Sequence, residues 1–311
     1  MNQPTVTPAT PAVLGLAFNR PEVTSGLFQA LRVARPGRLF FAVDGPRPDR
    51  QAERVKVMQV CRLADQVDWQ CDLQTLFRST NLGCKIAVSE AITWFFEHVE
   101  EGIILEDDCV PDASFFGFTA ELLDRFRHDQ RVMMVSGDNF QLGRRRTAYD
   151  YYFSRYTHIW GWATWRRAWR LYDHSMRWWP ELRDTGWLLD LLGTRDAARY
   201  WRAIFDATHQ ERNTSWAYRW TYSAWISSAL TVLPAVNLVS NIGFGKDATH
   251  TLRKSNRFAA LPVEEMSWPL RHPPYMVREE RADRFTQGTM FRQPSLFRRA
   301  AKRVYRSVVR T

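Results

Sequence analysis

The chain has 311 residues, of which 45% are hydrophobic, and a formal net charge of +10 at pH 7. That length suffices for one large domain or two smaller ones with a substantial core. No run of about 18 apolar residues is present, which excludes a transmembrane helix of ordinary length.

The amino-terminal segment and the cysteines both bear on the cellular compartment. Residues 1–12 are rich in Thr and Pro and lack a basic region followed by an apolar one, so we expect a disordered segment and no signal peptide. A cytoplasmic location is the resulting expectation. The cysteines lack CxxC spacing, which argues against a disulfide framework or a structural zinc site. We expect small buried or half-buried thiols at Cys61, Cys71, Cys84 and Cys109.

The first half of the chain alternates between short apolar runs and segments with helical periodicity. Strands are predicted at 13–18, 39–43, 67–76, 103–105 and 132–135, and helices at 22–32, 52–63, 85–98 and 115–126. Strands and helices that alternate through short turns are typical of a mostly parallel α/β sheet. We therefore predict an α/β fold with helices on both faces of the sheet.

The second half is rich in tryptophan. Trp162, Trp165 and Trp169 have helical spacing, which predicts a helix packed against the sheet. Most tryptophans should be buried, and a minority could stack on sugar rings. Farther on, a strand is predicted at 230–239 with a break at Pro234.

We place one boundary near Arg146, after the polar connector 143–146. The predicted parts are the amino-terminal segment, a nucleotide-sugar-binding half, an acceptor-side half and a carboxy-terminal extension. Their bounds are 1–12, 13–145, 146–260 and 261–311.

Three consecutive acids, Glu106, Asp107 and Asp108, follow the apolar run 103–105. A continuous apolar run indicates a buried parallel strand, so the acids should stand at its carboxyl end, where ligands bind in open α/β sheets. Adjacent acids repel one another and require compensating positive charge. A divalent cation that carries a nucleotide diphosphate would supply it. The alternative is a solvated acidic turn.

A glycine loop near residue 243 precedes a second candidate group. Gly243 and Gly245 flank one aromatic residue, and Asp247 and His250 follow them. An isolated histidine is more often structural than a ligand. The proximity of His250 to Asp247 and to the glycine loop nevertheless makes it a candidate second metal or phosphate contact.

Several short motifs stand at or near the predicted strand ends: Asn19-Arg20-Pro21, Asp44, Lys85-Ile86-Ala87, Glu106-Asp107-Asp108, Pro111-Asp112 and Phe115-Phe116. Together they resemble the GT-A glycosyltransferases, most closely the inverting N-acetylglucosaminyltransferase I family and its bacterial relatives. The resemblance covers about residues 13 to 251, and the acidic triplet is its most specific part. It implies a GT-A (Rossmann-like) sheet with an aromatic-rich acceptor side.

The resemblance also implies roles for individual residues at the donor. Asp108 would bind the metal, Mn²⁺ or Mg²⁺, while Glu106 and Asp107 would bind donor hydroxyls. Arg20 would lie at the nucleotide, and Asp44 would read the uracil.

Two more positions follow from the same likeness. Lys85 belongs to the tripeptide on the helix before the metal strand and is assigned to the donor. Trp162 ends the sequence 159–162, which resembles the Gly-Trp loop beside the reaction centre of the family.

The catalytic base is where the chain departs from the family. Relatives carry an Asp directly after a Trp at a helix start, in a Trp-Asp-Tyr-x-Trp context, and this chain has Ala217 there. Three explanations stay open: an engineered inactivation, a natural loss that leaves a binding protein, or relocation of the base. Asp247 is the nearest substitute by context, and Asp206 and Glu211 are weaker ones.

The last twenty residues carry seven basic side chains and no acid, with apolar residues between them at helical spacing. A basic amphipathic helix can lie in the headgroup region of an anionic membrane, and the alternative is a solvated terminus. A peripheral position at the inner face of the membrane would suit a lipid-linked acceptor. No recognised nucleic-acid-binding motif is present, so no nucleic-acid partner is expected.

The sequence therefore predicts a metal-dependent inverting glycosyltransferase that moves a sugar from a UDP-sugar to a glycan or lipid-linked glycan, as in polysaccharide biosynthesis. The main alternative is a sugar-nucleotide- or glycan-binding protein that has lost catalysis at Ala217. A nucleotidyltransferase is less favoured, because residues 16–21 lack a Gly-rich, basic phosphate loop.

Overall fold

A mixed eight-stranded sheet forms the centre of the computed structural model, which describes residues 10–244 and 257–291. The strands of the described residues are β1 (Val13–Ala17), β2 (Arg38–Val43), β3 (Asp72–Phe77), β4 (Glu101–Glu106), β5 (Cys109–Pro111), β6 (Val132–Ser136), β7 (Tyr151–Ser154), β8 (Trp162–Trp165), β9 (Leu230–Pro234) and β10 (Val239–Asn241). Their order in the sheet is β3-β2-β1-β4-β8-β6-β9-β7, and β5 and β10 form a separate antiparallel pair.

Helices cover both faces of this sheet. They are α1 (Pro21–Ala34), α2 (Gln51–Cys61), α3 (Gly83–His98), α4 (Ala113–Phe126), α5 (Arg166–Trp169), α6 (Trp179–Leu182), α7 (Trp187–Leu192), α8 (Arg195–His209), α9 (Trp216–Ile226) and α10 (Glu280–Met290). None of the helices within the described ranges combines the length and apolarity needed to span a bilayer.

Strand direction divides the sheet into a parallel part and a mixed part. β3, β2, β1 and β4 pair in parallel, as the alternation of strands and helices predicts. β8 pairs antiparallel with both β4 and β6, and β7 pairs antiparallel with β9. The predicted α/β class with a mostly parallel sheet is confirmed, since only β7 and β8 run against the other six strands.

The tryptophans of β8 correct one prediction from the sequence. Trp162 and Trp165 lie in a strand, and only Trp169 lies in a helix, the single turn α5. A spacing of three residues also suits a strand whose two faces are both buried, because side chains alternate between faces. Trp162 accordingly packs on one face of the sheet and Trp165 on the other.

Two large hydrophobic clusters lie on opposite faces of the sheet. Successive side chains along β1 and β4 point to alternate faces and so contribute to both clusters. Ile103 and Leu105 face α1 and α4, whereas Ile104 faces α3 and α9. β4 is therefore buried on both sides and ends abruptly at the acids. This burial fixes where the triplet leaves the sheet.

The segments proposed from the sequence fit this architecture only in part. Residues on either side of Arg146 contribute strands to the same sheet, so that boundary falls within one sheet. Thr10 and Ala12 contradict the predicted disorder at their positions, because Thr10 Oγ1 donates to Ala34 O and the Ile103 amide donates to Ala12 O. The rest of that segment, residues 1–9, lies outside the described residues, as does the basic tail 292–311.

The four cysteines are free thiols, as expected. Cys109 is buried, and the other three are half-buried.

Candidate functional site

A cleft of about 390 Å³ opens at the carboxyl ends of β1, β2 and β4, beside the start of α3. Five residues predicted from the sequence line it: Arg20, Asp44, Lys85, Glu106 and Asp107. Carboxyl ends of parallel strands meet at one edge of a sheet, which explains why segments far apart in sequence converge here. A larger groove of about 680 Å³ lies around Trp178 and contains none of these residues.

Arg20 neutralises part of the acidic triplet. Its Nε lies 3.1 Å from Asp107 Oδ2, and its Nη2 bonds to Asp107 Oδ1 and lies 2.9 Å from Asp108 Oδ2. The pair with Asp107 is bidentate, which is the strong geometry for guanidinium and carboxylate. Positive charge at the triplet was expected, and among the described residues Arg20 supplies it.

Glu106 is the last residue of β4 and is half-buried, whereas Asp107 is buried. Burial raises the pKa of Glu106, and the charges of Asp108 and Asp107 raise it further. The Trp216 indole at the start of α9 hydrogen-bonds to this carboxyl group, while Glu106 Oε1 is buried without a partner. A buried acceptor without a partner is costly and is often satisfied by water or a ligand.

The end of β10 and the residue after it hold Asp108 in place. Asn241 Nδ2 donates to Asp108 Oδ1 at 3.1 Å, and the Ile242 amide donates to Asp108 O at 2.9 Å. Gly243 lies so close that a Cβ added there would come within 1.8 Å of Asp108 Oδ2. The chain around residue 242 therefore sets the orientation of the Asp108 carboxylate.

Asp44 accepts four hydrogen bonds from the chain itself. Oδ1 accepts from the Gly45 and Leu82 amides, and Oδ2 accepts from Asn81 Nδ2 and the Gly83 amide, all at 2.9–3.0 Å. These donors include the first backbone N–H groups of α3, which have no partner within the helix. Burial raises the pKa of Asp44, and the same N–H groups oppose that effect. Asp44 thus fastens α3 to the end of β2 at the cleft wall.

Lys85 is paired across the cleft with the loop before α9. Its Nζ forms an ion pair with Glu211, which also accepts from Arg219 Nη2 at 2.7 Å. The hydrogen bond from Lys85 lowers the pKa of Glu211. Glu211, one of the weaker candidates for the base, is therefore engaged with two cations.

Of the other positions proposed for a catalytic or metal-binding role, the structure describes Ala217 and Asp206. Ala217 is half-buried in the first turn of α9, next to the tryptophan that bonds to Glu106. Asp206 lies on α8, where it pairs with Arg183 and accepts from Trp179, and it does not line the cleft. Asp247 and His250 lie outside the described residues.

Trp162 does not face the cleft, which corrects its assignment as a direct donor contact. Its side chain is fully buried and stacks on Trp216 with ring centroids 5.8 Å apart. The interior position follows from β8, which is covered on both faces. Trp162 supports the residue that contacts Glu106.

Arg47, Arg78 and Asn81 line the cleft although the sequence analysis did not name them. Arg47 and Asn19 both contact Glu53, whose pKa falls to about 2 chiefly because of the Arg47 hydrogen bonds. Arg78 and Asn81 follow β3 and also line the cleft. They could have been predicted from their position just after a parallel strand. The hydrophobic pattern of β3 is weak, however, because none of its residues is buried.

Asp138 and His158 form a further buried polar region after β6. Asp138 Oδ2 accepts from the Trp160 amide at 2.9 Å, and its Oδ1 has no partner. Burial raises the pKa of Asp138 well above its usual value and lowers that of His158 to about 3. Burial therefore favours the uncharged form of both groups.

The donor atoms near the triplet decide which kind of metal site this region could form. No group of three His, Cys, Asp or Glu side chains in the described residues is arranged to hold a metal ion. Mg²⁺ and similar cations, however, are often held by one or two carboxylates together with substrate phosphates. Asp108, whose side chain is 14% exposed, and the free Oε1 of Glu106 fit a cation that arrives with a phosphate group.

Comparison with known proteins adds little to this description. No protein-family model matches the chain, and no curated protein matches it. Among solved structures, it is similar to HddC from Yersinia pseudotuberculosis at a TM-score of 0.32 and 10% sequence identity. The match covers 50% of this chain and 77% of HddC. A likeness at this level carries no argument about fold family or function.

Proposed function

We propose that this chain is a GT-A-type inverting glycosyltransferase that transfers a sugar from a UDP-sugar to a glycan acceptor. The observation that carries the proposal is the convergence of Arg20, Asp44, Lys85, Glu106 and Asp107 in one cleft, with Asp108 held beside it by its contact with Arg20. A protein can bind a nucleotide diphosphate through basic side chains and through a metal ion held by acids. Basic and acidic side chains both line this cleft.

The donor would lie along the strand ends. Asp108 would hold Mn²⁺ or Mg²⁺ together with the diphosphate, and the cation would stabilise the charge that develops on the leaving phosphate. Arg20 and Lys85, which line the cleft, would bind phosphate oxygens. Arg47 and Arg78 line the same cleft on the β2 and β3 side.

The acceptor hydroxyl requires a base, and position 217 is occupied by alanine. General-base catalysis contributes about a hundredfold to ten-thousandfold in rate. Ala217 therefore favours a second candidate function, a sugar-nucleotide- or glycan-binding protein on the same fold. The two candidates share the donor cleft and differ in turnover.

The acceptor and the cellular location belong to the proposal as well. A cytoplasmic enzyme at the inner face of a membrane would meet a lipid-linked glycan, with the basic tail as its contact. That tail lies outside the described residues, so its contribution rests on the sequence alone.

Calorimetric titration with UDP and a panel of UDP-sugars, first with Mn²⁺ and then with EDTA, tests the donor site. We expect one UDP-sugar to bind in a metal-dependent manner and Asp108→Ala to abolish that binding. Asp196→Ala removes an exposed carboxylate of α8 and should bind normally. Normal binding by Asp108→Ala would contradict the proposal, and release of pyrophosphate from a nucleoside triphosphate would indicate a nucleotidyltransferase.

Turnover separates the two candidate functions. Slow hydrolysis of the bound UDP-sugar without an acceptor would support the transferase. Donor binding without any turnover would support the binding protein.

A further inference from the structure

We infer that Arg20 couples the divalent cation to the nucleotide: its guanidinium occupies the carboxylates that the cation needs, and the diphosphate receives it when the cation binds. This inference rests on the proposed function, because it requires a donor with a diphosphate. It goes further in assigning to one residue the order in which metal and nucleotide can bind.

The oxygens of Asp107 and Asp108 are already engaged. Both Asp107 oxygens and Asp108 Oδ2 contact Arg20, while Asp108 Oδ1 accepts from Asn241. Glu106 Oε1 is the single buried carboxylate oxygen of the triplet without a partner. A cation at Asp108 would therefore bind an oxygen that already accepts from Arg20 or from Asn241.

Arg20 is the partner that must yield. Asn241 is neutral and lies in β10, where backbone pairing with β5 fixes it. A guanidinium and a divalent cation repel each other, and the repulsion is strong in a site sheltered from water. Removing Arg20 from the two acids relieves that repulsion, whereas removing Asn241 does not.

Once displaced from the two carboxylates, the Arg20 guanidinium could bind a diphosphate in the cleft. Its hydrogen bonds within the described residues are made only to Asp107 and Asp108, and 18% of the side chain is exposed towards the cleft. Once displaced, it would be an unpaired charge at the cleft wall. A diphosphate satisfies it, because guanidinium groups bind phosphate oxygens in the same bidentate manner as carboxylates.

Metal and nucleotide should consequently bind cooperatively. Either ligand alone would have to break the ion pairs of Arg20 with Asp107 and Asp108. When both bind, the cation takes the carboxylate and the diphosphate takes the guanidinium. Linkage requires the coupling to be reciprocal, so UDP should strengthen Mn²⁺ binding by the same factor as Mn²⁺ strengthens UDP binding. We expect a factor of at least about tenfold, within the usual range of coupling.

Direct Mn²⁺ binding by electron paramagnetic resonance, with and without UDP, tests the inference. In the unmodified chain, Mn²⁺ alone should bind weakly, and UDP should strengthen its binding. In Arg20→Gln, Mn²⁺ alone should bind about tenfold more tightly, and UDP should strengthen its binding by a smaller factor than in the unmodified chain. The double variant Arg20→Gln with Asp108→Ala should lose the gain, since Asp108 Oδ2 is the oxygen that Arg20 would release to the cation.

Two further variants keep the test independent of folding. Arg20→Lys retains the charge but lacks the fork that bridges two carboxylates, so Mn²⁺ alone should bind with intermediate affinity. Arg32→Gln removes an exposed arginine that pairs with Asp68 outside the cleft, and it should leave Mn²⁺ binding unchanged. Thermal unfolding confirms that each variant is folded, and Mn²⁺ should raise the Tm of Arg20→Gln more than that of the unmodified chain.

The outcomes separate this inference from the proposed function. If UDP binds but neither Arg20 variant changes the affinity for Mn²⁺ alone, the inference is wrong and the proposed function stands. If UDP does not bind at any Mn²⁺ concentration, both the proposed function and the coupling to a diphosphate are wrong. Tighter Mn²⁺ binding by Arg20→Gln would in that case still establish the competition at Asp108.

Discussion

Asn241 Nδ2 lies 3.1 Å from Asp108 Oδ1, although 133 residues separate the two in the chain. Asn241 Oδ1 in turn accepts from the Gly243 amide at 2.9 Å. One amide side chain thus orients the last acid of the triplet and closes the turn beside it. Asn241 positions Asp108 and does not itself face the cleft.

Replacing Asn241 by alanine should weaken metal-dependent UDP binding by about tenfold, because Asp108 Oδ1 loses its donor and the carboxylate can turn. The free energy of unfolding should fall by about 1–3 kcal/mol, since the Gly243 amide also loses its partner. Calorimetry and urea denaturation measure the two effects. Ser240→Ala, in the same strand, serves as the control, and equal binding by the two variants would contradict this role for Asn241.

The variant Gly243→Ala tests the close approach at the same acid. A Cβ would meet Asp108 Oδ2 at 1.8 Å, so either the carboxylate or the loop must move. We expect metal-dependent nucleotide binding to fall by about tenfold or more, as a displaced ligating group costs roughly 1–3 kcal/mol. Gly37→Ala, where a Cβ meets nothing within 4 Å, should bind like the unmodified chain. Binding retained in Gly243→Ala would show that the loop yields freely.

Asp44 should prove important for stability as well as for the nucleotide. In Asp44→Asn, one acceptor oxygen becomes an amide that faces N–H donors, so the free energy of unfolding should fall by about 1–3 kcal/mol. Urea denaturation measures this change. Asp49→Asn, at an exposed position five residues later, should leave stability within about 0.5 kcal/mol of the original. A stable Asp44→Asn variant that loses UDP binding would instead assign Asp44 to the nucleotide alone.

Asp138 should make the stability depend on pH. Burial raises its pKa in the folded chain, so the folded state holds a proton that the unfolded state releases as pH rises above about 4. The contribution of Asp138 to stability therefore decreases with rising pH from that point towards the folded pKa. Asp138→Asn should gain stability relative to the original at pH 7, by on the order of 1 kcal/mol, and little at pH 4. Chemical denaturation at both pH values, with exposed Asp65→Asn as the control, measures the difference.

Ala217→Asp should raise turnover at least tenfold if position 217 is that of the missing base. The first turn of α9 tolerates a carboxylate, because the helix dipole favours negative charge there. Ser215→Asp places the same charge at the same helix end, two residues away, and should not raise turnover. The comparison is made on sugar transfer with the donor that the titrations identify. Equal rates in the two variants would point to a relocated base or another mechanism.

The sequence sufficed to predict several of the polar residues that line one cleft. Arg20, Asp44 and Glu106 each follow or end an apolar run, and parallel strands bring such positions to one edge. The positions of β1, β2 and β4 could be predicted to within two residues at each end, because each strand is buried and flanked by turn residues. Pairing partners within the sheet did not have to be known for this conclusion.

The remainder depends on contacts that no local pattern encodes. A spacing of three between Trp162 and Trp165 fits both a helix and a doubly buried strand, so periodicity alone chose wrongly. The contacts of Asn241 with Asp108 and of Glu211 with Lys85 join segments more than a hundred residues apart. They arise from the packing of β10 and of the loop before α9, which is a tertiary result.

The place of β8 has a consequence for the order of events during synthesis. β4 gains its second neighbour only when residues 162–165 are available, and β6 joins the sheet through β8 and not directly. A nascent chain that has emerged only as far as residue 145 would display an apolar strand with one open edge. Such edges recruit other strands, so this protein should depend on rapid elongation or on chaperones at that stage, and a fragment that ends there should aggregate.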